Sequence, residues 1–155
     1  MCSIGGWIAS SPLHPQTTRK LAAALLWYGM PRGEQSSGVW LDGRLLRAAK
    51  SPRELIYEDA FLNLIGDGAR MCLTHTRQPT SGGRGDTDAQ PFVKGPATTI
   101  HNGCISNCTE LKKKFKVEKE GTEVDSAIIT AIVAEHGPEA LPDFVKDALR
   151  PFLVA

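Results

Sequence analysis

The stretch VWLDGRLLRAA (39–49) constrains the fold more than any other part of the chain. Two apolar runs flank Asp42-Gly43, a pair suited to the two-residue turn of a β-hairpin. Strands joined this way run antiparallel. SIGGWIA (3–9) reads as a first strand, TTRKLAAALLWYG (17–29) as a helix and ARMCLTHT (69–76) as a buried strand. The helix has a threonine as its cap, Leu21, Leu25 and Tyr28 on one face, and Gly29 at its end. SPRELIYEDAFLNLIG (51–66) reads as a single helix: Ser51 caps, Pro52 takes the first helical position and Glu54 completes a capping box. Strands and helices follow one another without strict β-α alternation. That predicts a layered α+β domain over residues 1–155 rather than a doubly wound sheet.

Further on, RQPTSGGRGDTDAQPF (77–92) has no periodicity and reads as a long loop of the kind that forms lids. TTIHNGCIS (98–106) reads as a strand ending near Asn102-Gly103, and CTELKKKFK as a short helix. VDSAIITAIVAEHG reads as a helix with Ile128, Ile129, Ile132 and Val133 on its apolar side, and PEALPDFVKDAL as a last helix.

Charge and composition exclude several functions. The 155 residues are 41% hydrophobic and 23% charged, with a formal net charge of +1. That balance gives no electrostatic case for nucleic acid or an anionic membrane. No apolar run reaches the roughly 18 residues of a membrane span. The first residues lack the basic and apolar regions of a signal peptide, which predicts a cytoplasmic chain with reduced thiols at Cys2, Cys72, Cys104 and Cys108. His101, Cys104 and Cys108 lack the spacing and fourth ligand of a zinc site, so neither a metal nor a cofactor is expected. The RGD tripeptide at 84–86 reads as chance.

The chemistry-bearing residues begin at the N-terminus. Removal of Met1 would leave Cys2 with a thiol and a free amine on one residue, so the amine can serve as base for its own nucleophile. The alternative is a small residue near a frayed end. Arg77 has a planar fork suited to a carboxylate, or to a surface ion pair. Asn102-Gly103 can form a tight turn or present hydrogen-bond donors. Asp125 can cap the helix that follows or oppose an ammonium group. His75 and His101 read as core histidines beside these motifs.

Cys2, HTRQPT (75–80), HNG (101–103) and EVDS (123–126) stand in an order that, with RGEQSSG (32–38) and DAQPF (88–92), resembles the class II glutamine amidotransferase domain, an N-terminal-nucleophile hydrolase. The resemblance runs from Cys2 to about Ile132. It implies an α-β-β-α layered sandwich. It also implies glutaminase chemistry: Cys2 attacks the amide carbon of L-glutamine, giving a γ-glutamyl thioester and ammonia. Asn102 and Gly103 would then hold the oxyanion. Arg77 would hold the substrate carboxylate and Asp125 its ammonium. The backbone around Gln78, Thr80 and Ser81 would complete the pocket. Ser3 stands where glycine is more common in the family, and Gln78 where some relatives carry an aromatic residue.

Family domains continue past AIITAIV into further strands. The sandwich is therefore expected to be incomplete at its C-terminal end, with one sheet face exposed. The chain is either a shortened stand-alone relative or a fragment, and the ammonia acceptor is left open, a separate acceptor or synthase subunit being one candidate. The alternatives are an amidase for another amide, and a catalytically silent relative that binds a partner through the same scaffold.

Overall fold

The computed structural model describes residues 2–79, 83–118, 121–149 and 153–154. Its central sheet has the order β1-β4-β2-β3, with every pair antiparallel: β1 Ser3–Leu13, β2 Ser36–Leu41, β3 Arg44–Ala48 and β4 Ala69–Arg77. The expected hairpin is β2–β3. Asp42 and Gly43 have φ of 43° and 90°, as the tight hairpin turn requires. Asp42 has a second use, because its carboxylate accepts the backbone amides of Arg70 and Met71 at 2.7 and 2.8 Å.

Helices α1 (Pro15–Gly29), α2 (Pro52–Ile56) and α3 (Asp59–Ile65) cover one sheet face. Helix α1 departs from its expected register in two ways. Its cap is His14, whose side chain accepts the Gln16 amide, rather than a threonine. Its buried face is Thr18, Ala22, Leu26 and Gly29, while Leu21 and Tyr28 are 42% and 82% exposed. Small residues let the helix lie close to the strands. Thr18 donates to Leu13 O and accepts from Ala69 N, and Thr76 Oγ1 donates to Gly29 O at 2.8 Å.

The expected helix over 51–66 starts as predicted, with both bonds of the Ser51–Glu54 capping box present. It then breaks at Tyr57–Glu58, where Glu58 is extended. Leu55 and Phe61 are six residues apart, about 120° around a straight helix at 3.6 residues per turn, so they would point to different sides of one helix. The break lets both reach zero exposure.

The opposite face carries a thinner layer of short strands. These are β5 (Phe92–Lys94) with β6 (Ala97–Thr99), and β7 (His101–Asn102) with β8 (Leu153–Val154). The strand expected over 98–106 is therefore split at the buried Ile100. Outside this layer lie α4 (Cys108–Phe115), α5 (Ala127–His136) and α6 (Leu141–Asp147). The first two turns of α5 are buried on all sides, so it is a core helix rather than an amphipathic one. The chain is an α+β layered sandwich whose two larger cores, among the described residues, lie on either side of the sheet. Leu26, Val39, Leu41, Leu55 and Phe61 pack under α1–α3. Ile105, Leu111, Ile128, Ile129, Ile132 and Phe144 pack around α5. Each such side chain contributes about 1.5–3 kcal/mol by burial.

Candidate active site

The site lies between these two cores, at the β1-start and β4-end corner of the sheet. Cys2 immediately precedes β1, and its neighbour Ser3 pairs with Thr76. Arg32 Nε donates to Cys2 O at 3.0 Å, which fixes the backbone under the thiol. The half-buried Cys2 Sγ points at Gln78 O, 3.7 Å away. Gln78 itself is exposed, so its carbonyl rather than its amide faces the thiol. A Cβ at Gly33 would overlap the backbone of Arg77 and Gln78. Glycine there lets the 32–38 segment lie flat against the end of β4, where Gln35 N donates to Arg77 O.

Arg77 is 3% exposed, so it is no surface ion pair. It sits opposite Ser36 and donates from a terminal nitrogen to Gly83 O at 2.9 Å. Thr80 and Ser81 lie outside the described residues. The rest of the long loop is anchored. Burial pushes the Asp88 carboxyl up. Bonds from Thr122 Oγ1 (2.6 Å) and Gly85 N (2.9 Å), with the charges of Arg77 and Arg47, outweigh that and hold it below the usual range. Asp86, the last residue of the RGD tripeptide, accepts the Ala49 amide at 2.7 Å and so pins the loop to the end of β3.

Asn102 and Gly103 are half-buried. Asn102 pairs with Leu153 in a strand and does not occupy a two-residue turn. The residue before it is fixed on every side. His101 N donates to Gln90 Oε1 at 2.7 Å, and His101 O accepts from Gln90 Nε2 at 3.3 Å and from His75 Nε2 at 3.2 Å. The His101 ring meets Ser126 Oγ at 2.7 Å, and Ser126 reaches Asp125 Oδ1 at 3.5 Å. The other Asp125 oxygen accepts the Ile105 amide at 2.6 Å. Asp125 is thus tied to the chain just beyond Asn102-Gly103. It is not a side-chain cap for α5, whose cap position is Ser126.

Both histidines bind protons more weakly here than in water. Burial pushes His75 down to about 3; its bond to His101 O opposes that shift, and the nearby Arg77 charge and His101 add to it. His75 therefore carries its proton on Nε2, and its Nδ1 has no partner among the described residues. Burial lowers His101 as well, and Asp125 offsets part of the shift. Cys72 lies in the first core, where burial, with a smaller push from Asp42, raises its thiol to about 12, the setting of an inert thiol. Among the described residues, no three His, Cys, Asp or Glu side chains converge as a metal site, and no helix is long and apolar enough to cross a membrane.

The described candidate residues fall into two groups. Cys2, Arg77 and Gln78 meet at the sheet corner. Asn102 and Gly103 follow His101 in the chain, Asp125 reaches the His101 ring through Ser126, and His75 links His101 back to β4. Arg32, Gln90 and Ser126 received no roles from sequence. Arg32 and Gln90 belong to RGEQSSG and DAQPF, motifs whose meaning is visible only once their distant partners are in place.

No family model matches the chain. It is 33% identical to amidophosphoribosyltransferase of Haemophilus influenzae, over 97% of this chain and 30% of that protein. It is 28% identical to 7-cyano-7-deazaguanine synthase of Saccharolobus solfataricus, over 86% of this chain and 30% of that protein. The solved glutamine phosphoribosylpyrophosphate amidotransferase of Bacillus subtilis superposes on the whole chain with a TM-score of 0.60 at 20% identity, covering 35% of that structure. The chain carries a class II glutamine amidotransferase domain. It spans about a third of the length of the relatives it matches. The likeness to the Bacillus subtilis enzyme identifies the N-terminal-nucleophile hydrolase fold of this amidotransferase domain, and the two layers of helices around strands agree with it.

Proposed function

We propose that this amidotransferase domain hydrolyses L-glutamine, with Cys2 as the nucleophile, and delivers ammonia to a synthase partner or domain. What best supports this reading is the corner where the Cys2 thiol faces the Gln78 carbonyl beside the buried Arg77. With Met1 removed, the free amine of Cys2 takes the thiol proton as the sulfur attacks the amide carbon. Asn102 and the Gly103 N–H stabilise the oxyanion. The amine then returns the proton to the leaving nitrogen, releasing ammonia and leaving a γ-glutamyl thioester. Water cleaves the thioester to glutamate. Arg77 holds the substrate carboxylate in two hydrogen bonds, Asp125 holds the ammonium, and the backbone of Gln78, Thr80 and Ser81 closes the pocket. The relatives' names give different chemistries, amidophosphoribosyl transfer in one and synthesis of a 7-cyano-7-deazaguanine in another. The acceptor is therefore assigned to the synthase side of the reaction.

The test is glutamate release by the purified protein and by Cys2→Ala, together with the intact mass after exposure to a glutamine-like electrophile. The parent is expected to release glutamate and gain one adduct at Cys2. The Ala variant is expected to do neither while remaining folded. Equal turnover by the variant would remove Cys2 from the mechanism.

A further inference from the structure

We infer that Gln90 is the positioning residue for the Asn102–Gly103 donors, acting as a clamp that grips the His101 backbone from both sides. The inference rests on the proposed glutamine reaction for its catalytic meaning, but the clamp itself is geometric. Gln90 is 2% exposed. Its amide accepts from His101 N and donates to His101 O, as a neighbouring strand would. It therefore adds a strand-like partner at the residue before the two donors, in a β7 that is only two residues long and pairs only with the equally short β8 among the described residues.

The clamp is itself anchored. A Cβ at Gly38 would overlap the Gln90 carbonyl oxygen, so the Gln90 backbone lies directly on the middle of β2. Arg47 donates to the carbonyls on either side, Ala89 O and Pro91 O, both at 3.3 Å. The position of the central sheet is thereby carried through Gly38 and Gln90 to His101, and so to Asn102 and Gly103. Cys2 is registered on the same sheet through Ser3–Thr76. Nucleophile and oxyanion donors thus share one rigid reference, which is what transition-state stabilisation by fixed donors demands.

Gln90→Met keeps the length and removes both hydrogen bonds. Gln90→Glu keeps the acceptor for His101 N, but when ionised it sets a carboxylate against His101 O. When protonated it can again donate there. Turnover is measured per folded molecule, alongside peptide-level hydrogen exchange over 98–106. For Gln90→Met we expect kcat to fall by about tenfold to a hundredfold with KM within about twofold, because misplaced donors cost the transition state more than the ground state. Exchange at His101–Gly103 is expected to rise by about tenfold or more. For Gln90→Glu, kcat relative to the parent is expected to climb as the pH is lowered and the carboxyl regains its proton. Unchanged exchange in Gln90→Met overturns the clamp. Unchanged kcat, or a loss appearing wholly in KM, overturns its positioning role. A parent protein without glutaminase activity overturns the proposed reaction instead, and the clamp then stands or falls on exchange alone.

Discussion

Lowering the pH from 7 to 5 is expected to destabilise this domain through His75. The ring is fully buried, its Nε2 proton is committed to His101 O, and burial is the main cause of a proton affinity as low as about 3. An unfolded histidine binds its proton near 6.5. Between those values the unfolded chain takes up the proton and the folded chain does not, so stability falls as pH falls. It is complete above about pH 6.5 and declines progressively toward pH 3. Each full pH unit in that window costs up to about 1.36 kcal/mol. Between pH 7 and pH 5 the loss from His75 is about 2 kcal/mol. His101, lowered by burial and partly restored by Asp125, adds a loss of the same sign. Most carboxylates titrate below pH 5 and so contribute little between pH 7 and pH 5. With a urea slope of about 1–3 kcal/mol per molar, the midpoint should fall by about 1 M. The assay is urea unfolding followed by far-ultraviolet circular dichroism at the two pH values, on the parent and on His75→Gln. The variant keeps a donor for His101 O but cannot take up a proton in this range, so its midpoint should move less. A parent midpoint that does not move between pH 7 and 5, or a variant that moves as far as the parent, would refute the reasoning.

Three other outcomes are expected. Asn102→Ala should lower kcat per folded molecule by about 10²–10³, or about 2.7–4 kcal/mol, with KM for glutamine nearly constant; full kcat would make Asn102 a purely structural strand residue. Arg77→Lys keeps the charge but loses the fork, and should raise KM by about tenfold, equal to about 1.4 kcal/mol; an unchanged kcat/KM would remove Arg77 from the pocket. Gly38→Ala places a Cβ against Gln90 O and should cost about 1–3 kcal/mol. Calorimetry should show a fall of about 2–4 °C in Tm per kcal/mol, and an unchanged Tm would refute the close approach.

The elements legible in the sequence were those fixed by local chemistry. Asp42-Gly43 needs no distant partner to make a turn, and Ser51 and Glu54 cap one another within three residues. The buried face of α1 is not its bulkiest one: Leu21 and Tyr28 are larger than Ala22 and Gly29, but at its Gly29 end the helix lies too close to Ser3 and Thr76 for a side chain. The 51–66 segment looks like one helix in sequence because each half has helical spacing, and the break at Tyr57–Glu58 depends on tertiary packing. At the site, Cys2, Arg77, Asn102, Gly103 and Asp125 could be nominated by residue type and order. Arg32 and Gln90 could not be given roles, because each acts on backbone atoms, at Cys2 and His101, and a backbone partner leaves no mark in residue identity. Thr80 and Ser81 fall outside the described residues and stand as proposed.

The bond from Arg32 to Cys2 O has a consequence for the population of competent molecules. A chain end ordinarily frays, and each frayed molecule holds the proposed nucleophile away from its donors. The observed rate is then the intrinsic rate multiplied by the docked fraction. Ser3–Thr76 and Arg32–Cys2 O are two of the ties that set this fraction. Weakening either lowers turnover without altering any group that touches the substrate. If opening costs about 1.4 kcal/mol less, the frayed-to-docked ratio rises about tenfold. A defect of this kind would imitate a damaged catalyst at warm temperatures and fade on cooling if opening of the end absorbs heat. A lost oxyanion donor would persist at every temperature.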